Sequence, residues 1–255
     1  MKLGFIGTGK IASSVIIGIC NSNIRYKQII ISPRNKKIAL GLKKKFKKII
    51  ISKTNQEIID KSDWVFLSVT PSVGEKIIKD LKFRTNQKVI SFISTITLSE
   101  LRKMVKKKID IVRAIPLPPI SLKEGPVPIC PPNKKIKAFF DKLGSTVEIK
   151  NEKLSINFWS TSGMMASYYN LLDTMGVWLN KRGVKKLDAQ KYVTSLFLAL
   201  SKDAVKNSDK DLKLLVKDSQ TPKGLNEQGL KEMIKKDVYK SLINSLNSIY
   251  KRLDK

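Results

Sequence analysis

The chain opens with a short apolar run, Lys2-Leu3-Gly4-Phe5-Ile6. It passes directly into Gly7-Thr8-Gly9-Lys10-Ile11-Ala12 and then into an apolar segment of helical spacing that reaches Cys20. A G-x-G-x-x-A held between a strand and a helix leaves little freedom in what can be built there. Gly7 allows the tight turn out of the strand, Gly9 lets the backbone come close to a pyrophosphate, and Ala12 lets the helix lie close against the strand. The first N–H groups of the helix and the positive end of its dipole then face the phosphates. The expectation is a dinucleotide cradle built from Gly7, Thr8, Gly9, Lys10, Ile11 and Ala12.

The kind of dinucleotide follows from what stands at the end of the second predicted strand, Gln28–Ile31. A site for NAD places an acidic residue there, about 20 residues past the glycines, to hold the ribose 2′-hydroxyl. Here the strand runs into Ser32-Pro33-Arg34-Asn35-Lys36-Lys37, and no acidic residue occurs before Glu57. A guanidinium binds a phosphate through two parallel hydrogen bonds, and a serine hydroxyl adds a third. Ser32, Arg34 and Asn35 therefore predict NADP(H). The near-continuous apolar run Asp63–Val69 has the character of a buried parallel strand. It ends at Val69-Thr70-Pro71, where the chain is expected to turn over the cofactor.

Beyond these motifs, strands and helices alternate as far as Ile149, the pattern of a doubly wound parallel sheet of Rossmann type. Pro116 to Pro132 reads as a proline-rich loop. From Asn151 onward only helical periodicity remains, in segments 154–181, 188–206, 210–217 and 227–253. The predicted organisation is a nucleotide-binding domain over 1–150 and an all-α domain over 151–255. The first helical segment carries Phe158, Trp159, Met164, Met165, Tyr168, Tyr169, Leu171, Leu172, Met175, Val177 and Trp178. A helix apolar on most sides is buried on most sides. A partner subunit or a central place in a bundle would supply that cover.

Composition removes several classes of function. Fifty Lys and Arg against 21 Asp and Glu give a formal charge of +29. Yet the lysines are spread through every segment, and Arg, the usual reader of bases, occurs only seven times. No aromatic platform lies among basic residues, so specific nucleic-acid binding is not expected. Histidine is absent and the two cysteines, Cys20 and Cys130, stand far apart, which excludes His-based triads and leaves no metal-ligand pattern. No uncharged apolar run approaches the ~20 residues of a membrane span. The first strand begins at Lys2, so a signal peptide is not expected and a cytoplasmic location is.

In order, these motifs resemble pyrroline-5-carboxylate reductase along the whole chain. Gly4–Ala12 is similar to that family's G-F-I-G-x-G-N-M-A, and Ser32–Asn35 to its S-x-R turn. Val89-Ile90-Ser91 with Ile96-Thr97-Leu98 looks like its V-I-S-x-x-x-G-V-S-L. Val112–Pro116, with Pro119 and Glu124-Gly125, looks like V-R-V-M-P-N-T-P…G-E-G. The resemblance implies a Rossmann domain followed by a helical dimerisation domain, in a homodimer or an assembly of dimers. It also implies hydride delivery from NADPH to a cyclic imino acid, 1-pyrroline-5-carboxylate, yielding proline.

The departures gather where the resemblance places the substrate. Leu117 stands for the family's Asn after its Met-Pro pair, and Thr70 for the Lys of its A-V-K-P turn. Thr161–Ser167 replaces S-G-S-G-P-A-Y. Gln220-Thr221-Pro222-Lys223-Gly224-Leu225-Asn226 replaces T-S-P-G-G-T-T, the loop that holds the substrate carboxylate. Thr221 and Ser162 could orient the imine nitrogen. Backbone N–H groups over Pro222–Leu225, with the Lys223 cation and the Asn226 amide, could meet a carboxylate. Two alternatives stay open: a related imine or ketimine reductase with a more apolar substrate, and an NADPH-binding regulator without turnover.

Overall fold

A computed structural model describes residues 1–254, which divide into two compact units, Met1–Trp159 and the chain from Ser160 onward. The first unit holds eight strands: β1 (Lys2–Ile6), β2 (Gln28–Ile31), β3 (Ile49–Ile51), β4 (Trp64–Leu67), β5 (Lys88–Ser91), β6 (Asp110–Ala114), β7 (Pro126–Cys130) and β8 (Ser145–Glu148). They form one sheet in the order β3-β2-β1-β4-β5-β6-β7-β8. All neighbours from β3 to β6 are parallel; β7 runs antiparallel to β6, and β8 parallel to β7. Helices α1 (Lys10–Cys20), α2 (Lys36–Lys45), α3 (Asn55–Lys61), α4 (Pro71–Ile77), α5 (Leu98–Val105) and α6 (Lys134–Phe140) connect them.

The central strands are buried on both faces. Leu3, Phe5, Ile6, Ile29, Val65, Phe66 and Leu67 are all fully inaccessible, as both-sided helix cover requires. Phe5 and Phe66, on adjacent strands, stack with centroids 4.4 Å apart and planes 6° from parallel. Ala12, Val15, Ile16 and Ile19 bury the inner face of α1 in the same cluster.

Residues 116–132, predicted as a loop, contain a strand. Pro126 and Pro128 argue against one, because proline lacks the ladder donor. Pro128 nevertheless offers its carbonyl to the Ile115 N–H at 3.1 Å, and β6 meets β7 over only two residue pairs, so the absent donors are not needed. Residues 151–159 belong with the first unit. Glu152 pairs with Arg113 of β6, and the Trp159 indole N–H donates to the Ser94 carbonyl at 3.2 Å.

Helix α7 (Ser155–Ser162) straddles the division. The second unit continues with α8 (Met165–Asn180), α9 (Lys186–Lys206), α10 (Leu212–Asp218), α11 (Leu225–Lys235) and α12 (Val238–Leu253). The predicted continuous segment 154–181 is broken by a turn in which Gly163 and Met164 donate to the carbonyls of Ser160 and Thr161. Segment 227–253 is broken at Asp237, whose φ is +53°. Both breaks fall inside unbroken apolar patterns and so leave no mark on periodicity. Within this unit α8 packs along α9, yet Tyr169, Val177, Trp178 and Leu198 remain 44–55% exposed. Among the described residues no helix is long and apolar enough to cross a membrane.

Candidate functional site

The order of the strands locates the site. The chain fills the sheet on one side of β1 with β2 and β3, then crosses back to lay β4 on the other side. Ligands of open α/β sheets bind outside the carboxyl ends of the strands at such a switch point. The loops leaving β1 and β4, Gly7–Gly9 and Ser68–Thr70, meet there around a cavity of about 390 Å³, which Arg34, Asn35 and Lys36 border from the end of β2.

The glycines of the cradle differ in kind. Gly7 has φ +98°, and a Cβ on it would lie 2.1 Å from the Ser68 carbonyl oxygen. It is required by the fold itself. Gly9 has φ −75°, which any residue can adopt, and a Cβ there would meet nothing within 4 Å. The space beside it is open. Gly9 is also the N-cap of α1; no side chain caps that helix, and its first turn has no acidic residue. An uncapped start with its N–H groups turned to an open cavity fits a pyrophosphate.

Ser32 has a structural role besides the phosphate contact expected of it. It is 2% exposed, and its hydroxyl accepts the Gly7 N–H at 3.2 Å, while the buried Thr8 hydroxyl donates to the Ser32 carbonyl at 3.4 Å. Ser32 thus holds the glycine turn in place with its oxygen, which leaves its O–H as a donor, and Arg34 beside it is exposed. Asn35 caps α2, its side-chain oxygen accepting the Ile38 N–H at 3.3 Å. Thr70 is the N-cap of α4 and Pro71 its first residue; Val69 borders the cavity. Lys10 is exposed, Ile11 half-buried and Ala12 buried in the first turn of α1.

A second cavity of about 310 Å³ shares Gly7, Arg34 and Val69 with the first. Ile6, Pro33, Val73 and Ile77 give it apolar walls, and Lys53, Thr54 and Asn55 close it from the end of β3. These wall residues carry no signal in the sequence, because β3 is only three residues long and α4 has no nucleotide motif. No carboxylate lines either cavity.

In the second unit the loop before α11 is a tight turn. The Gly224 N–H donates to the Thr221 carbonyl at 2.8 Å, and Lys223 sits at φ +62°. Two donors expected to meet a substrate carboxylate are already engaged. The Lys223 N–H donates to Glu227 Oε2 at 2.6 Å, and the Asn226 amide donates to the Ser219 carbonyl at 2.9 Å. Thr221, Lys223 and Asn226 are brought together on this turn, whereas Ser162 ends α7. Lys231, 2.6 Å from Glu227, and the Lys223 N–H hold the Glu227 carboxyl below its usual range. Among the described residues no cluster of His, Cys, Asp or Glu could hold a metal.

Comparison with known proteins covers both units. The family described as NADP oxidoreductase, coenzyme F420-dependent, matches residues 2–96, and the family described as pyrroline-5-carboxylate reductase dimerisation matches residues 154–255. Pyrroline-5-carboxylate reductase of Vibrio alginolyticus is 25% identical over 233 residues, 88% of this chain and 85% of the relative. Over most of its length the chain is similar to pyrroline-5-carboxylate reductases, and residues 154–255 match that family's dimerisation domain.

Solved structures agree on the fold. The Streptococcus pyogenes 1-pyrroline-5-carboxylate reductase superposes with a TM-score of 0.84 at 24% identity, covering 99% of this chain and 98% of the other. The Plasmodium falciparum pyrroline carboxylate reductase, solved with NADP bound, gives 0.84 at 23% identity, covering 99% and 97%.

The V-R-x-x-P segment, Val112–Pro116, carries a part-buried ion pair. Arg113, 4% exposed, reaches Glu152 Oε1 at 2.5 Å, donates to the Ser94 carbonyl and lies 5.7 Å from the Trp159 ring centroid. The same Glu152 oxygen accepts the Leu98 N–H at 2.8 Å. One guanidinium thereby joins the end of β6, the loop after β5 and the last turn of the first unit.

Proposed function

We propose that this protein is an NADPH-dependent reductase of a cyclic imine, converting 1-pyrroline-5-carboxylate to proline. The observation that carries the cofactor reading is the uncapped start of α1 at Gly9, opening on a cavity that Arg34 and Lys36 border and no carboxylate lines. NADPH, when bound, supplies the hydride. The chain's own residues do the rest. Gly7, Thr8 and Gly9 with the first N–H groups of α1 would cradle the pyrophosphate, and Val69, Thr70 and Pro71 would wall it from the β4 side. Arg34 would take the 2′-phosphate.

A cyclic imine of near-neutral pKa arrives already protonated, so the reaction asks for placement more than for a strong acid. That suits a chain without histidine. Thr221 and Ser162 would orient the imine nitrogen, and Lys223 would offer a cation to the carboxylate, with Asn226 fixing the turn through Ser219. The active form we infer is a homodimer or an assembly of dimers joined through the apolar helices of the second unit. Two free thiols, Cys20 and Cys130, suit a reducing, cytoplasmic setting.

One observation favours a second reading. With the Lys223 N–H on Glu227 and the Asn226 amide on Ser219, the turn keeps fewer donors for a carboxylate than the resemblance implies. A more apolar cyclic imine would need fewer. Mixing the protein with NADPH and pyrroline-5-carboxylate, and following the nicotinamide absorbance, tests the first reading. Rapid NADPH oxidation is expected. Binding without turnover would shift the assignment to another cyclic imine, and no binding would remove it.

A further inference from the structure

The first acidic residue of the chain, Glu57, follows β3 instead of standing at the end of β2, where an NAD site would place it, and has another use. Its Oε2 accepts the Lys53 N–H at 2.9 Å and the Ser52 hydroxyl at 2.5 Å, and Lys61 Nζ lies 2.5 Å from its Oε1. The Thr54 hydroxyl accepts the Glu57 N–H at 3.1 Å. Residues 52–54, the turn that follows β3, are therefore tied to the first turn of α3 from both directions. The lysine partner and the hydroxyl and backbone donors hold the Glu57 carboxyl down at about 2, so it stays ionised. Its charge is matched by Lys61.

That leaves the Lys53 ammonium without an anionic partner among the described residues, and Lys53 lines the 310 Å³ cavity. Arg34 borders the same cavity from the adjacent strand end, since β2 pairs with β3 through Ile29–Ile31 and Ile49–Ile51. The apolar walls, Ile6, Pro33, Val73 and Ile77, suit a flat base, and Lys53 and Arg34 are the two cationic residues in the same lining.

We propose that Lys53 is a second specificity-determining cation for the 2′-phosphate of the dinucleotide, with Glu57 as the residue that positions it. This rests on the NADPH reading above and adds to it the residue that completes the phosphate clamp from β3. A guanidinium supplies a planar fork and an ammonium a compact point charge, so the pair grips one phosphate from two strand ends.

The test isolates the subsite from hydride transfer. Binding of adenosine 2′,5′-bisphosphate and of 5′-AMP is measured by calorimetry on the full chain, for the natural protein, Lys53→Met, Lys53→Arg and Lys47→Met. Lys47 is an exposed lysine that lines neither cavity and reports the general effect of lowering the large positive charge. Lys53→Met is expected to weaken the bisphosphate by about 5- to 10-fold, less than a buried charged hydrogen bond would give because the site is open to solvent. The 5′-AMP affinity should stay as it was, Lys53→Arg should restore binding, and Lys47→Met should change neither ligand selectively. Glu57→Ala should lose part of the bisphosphate preference in the natural background and none further in Lys53→Met.

If the natural protein prefers the bisphosphate and Lys53→Met keeps that preference, the proposal is overturned while the cofactor reading stands. It is overturned equally if Lys47→Met costs as much as Lys53→Met. If the natural protein does not distinguish the two ligands, the NADPH reading itself fails, and the role of Lys53 fails with it.

Discussion

Gly7 and Gly9 lie two residues apart in one turn, and substitutions at them should fail in opposite ways. Gly9 has an ordinary φ and open space where a Cβ would project, so Gly9→Val should fold normally. Losing glycine at an N-cap costs about 0.5–1 kcal/mol, and the smaller entropy of the unfolded chain returns about 0.4–1 kcal/mol. The melting temperature should therefore hardly move. Nucleotide binding should collapse, because the valine fills the space into which the pyrophosphate must come. Losing two charge-assisted N–H contacts at ~1.5–3 kcal/mol each weakens binding by at least about 100-fold.

Gly7→Ala should behave in the reverse order. Its φ of +98° is costly for any L residue, and the new Cβ would stand 2.1 Å from the Ser68 carbonyl oxygen, which belongs to the backbone after β4 and cannot swing aside. A conformational penalty of about 1–2 kcal/mol and an overpacking penalty of about 1–3 kcal/mol lower the melting point by roughly 4–20 °C in a domain of this size. Differential scanning calorimetry with and without NADPH separates the two effects. Retained NADPH affinity in Gly9→Val would refute the placement of the pyrophosphate. A large loss of stability in Gly9→Val would show that the space beside it is not open in solution.

Arg34→Ala should weaken NADPH by about 1.5–3 kcal/mol and leave NADH nearly unaffected; equal losses would remove the 2′-phosphate assignment. Glu152→Gln leaves the Arg113 guanidinium buried without its carboxylate, and should cost about 2–4 kcal/mol in urea unfolding. An unchanged unfolding midpoint would show the pair to be dispensable. The folded Glu57 carboxyl titrates at about 2, below its ordinary 4.5, so its contribution to stability is complete above 4.5 and is lost as pH falls toward about 2. The urea midpoint of the natural protein should accordingly fall faster than that of Glu57→Gln across this window, and parallel curves would contradict it. Asn226→Ala frees the Ser219 carbonyl and loosens the turn before α11, so the KM for the imine should rise while NADPH binding is unchanged. An unchanged KM would return Asn226 to a purely local role.

Much of the nucleotide half is legible in the sequence, for physical reasons. The strand, the glycine turn and the helix are contiguous, so their duties are written within eleven residues, and the absence of any acidic residue before Glu57 needs no tertiary information. The change from alternating to purely helical pattern near Asn151 likewise announces a second domain of different character. Periodicity cannot see a helix break made by a two-residue turn at Gly163–Met164, or a strand at Pro126–Cys130 whose prolines point away from the ladder that matters.

Tertiary structure decided who uses which polar group. Ser32 has the type and the place to bind phosphate, and the pairing of β1 with β2 gives its oxygen a second duty, accepting the Gly7 N–H. Lys53, one lysine among many in the sequence, acquires a setting only because β3 pairs with β2, so that Lys53 and Arg34 line one cavity. Arg113, Ser94, Glu152 and Trp159 span 65 residues of sequence and meet in a single buried contact. Local chemistry determined what this chain is able to bind. The pairing of distant strands determined which side chains stand together to do the binding, since residues far apart in sequence share a cavity only when their strands are neighbours.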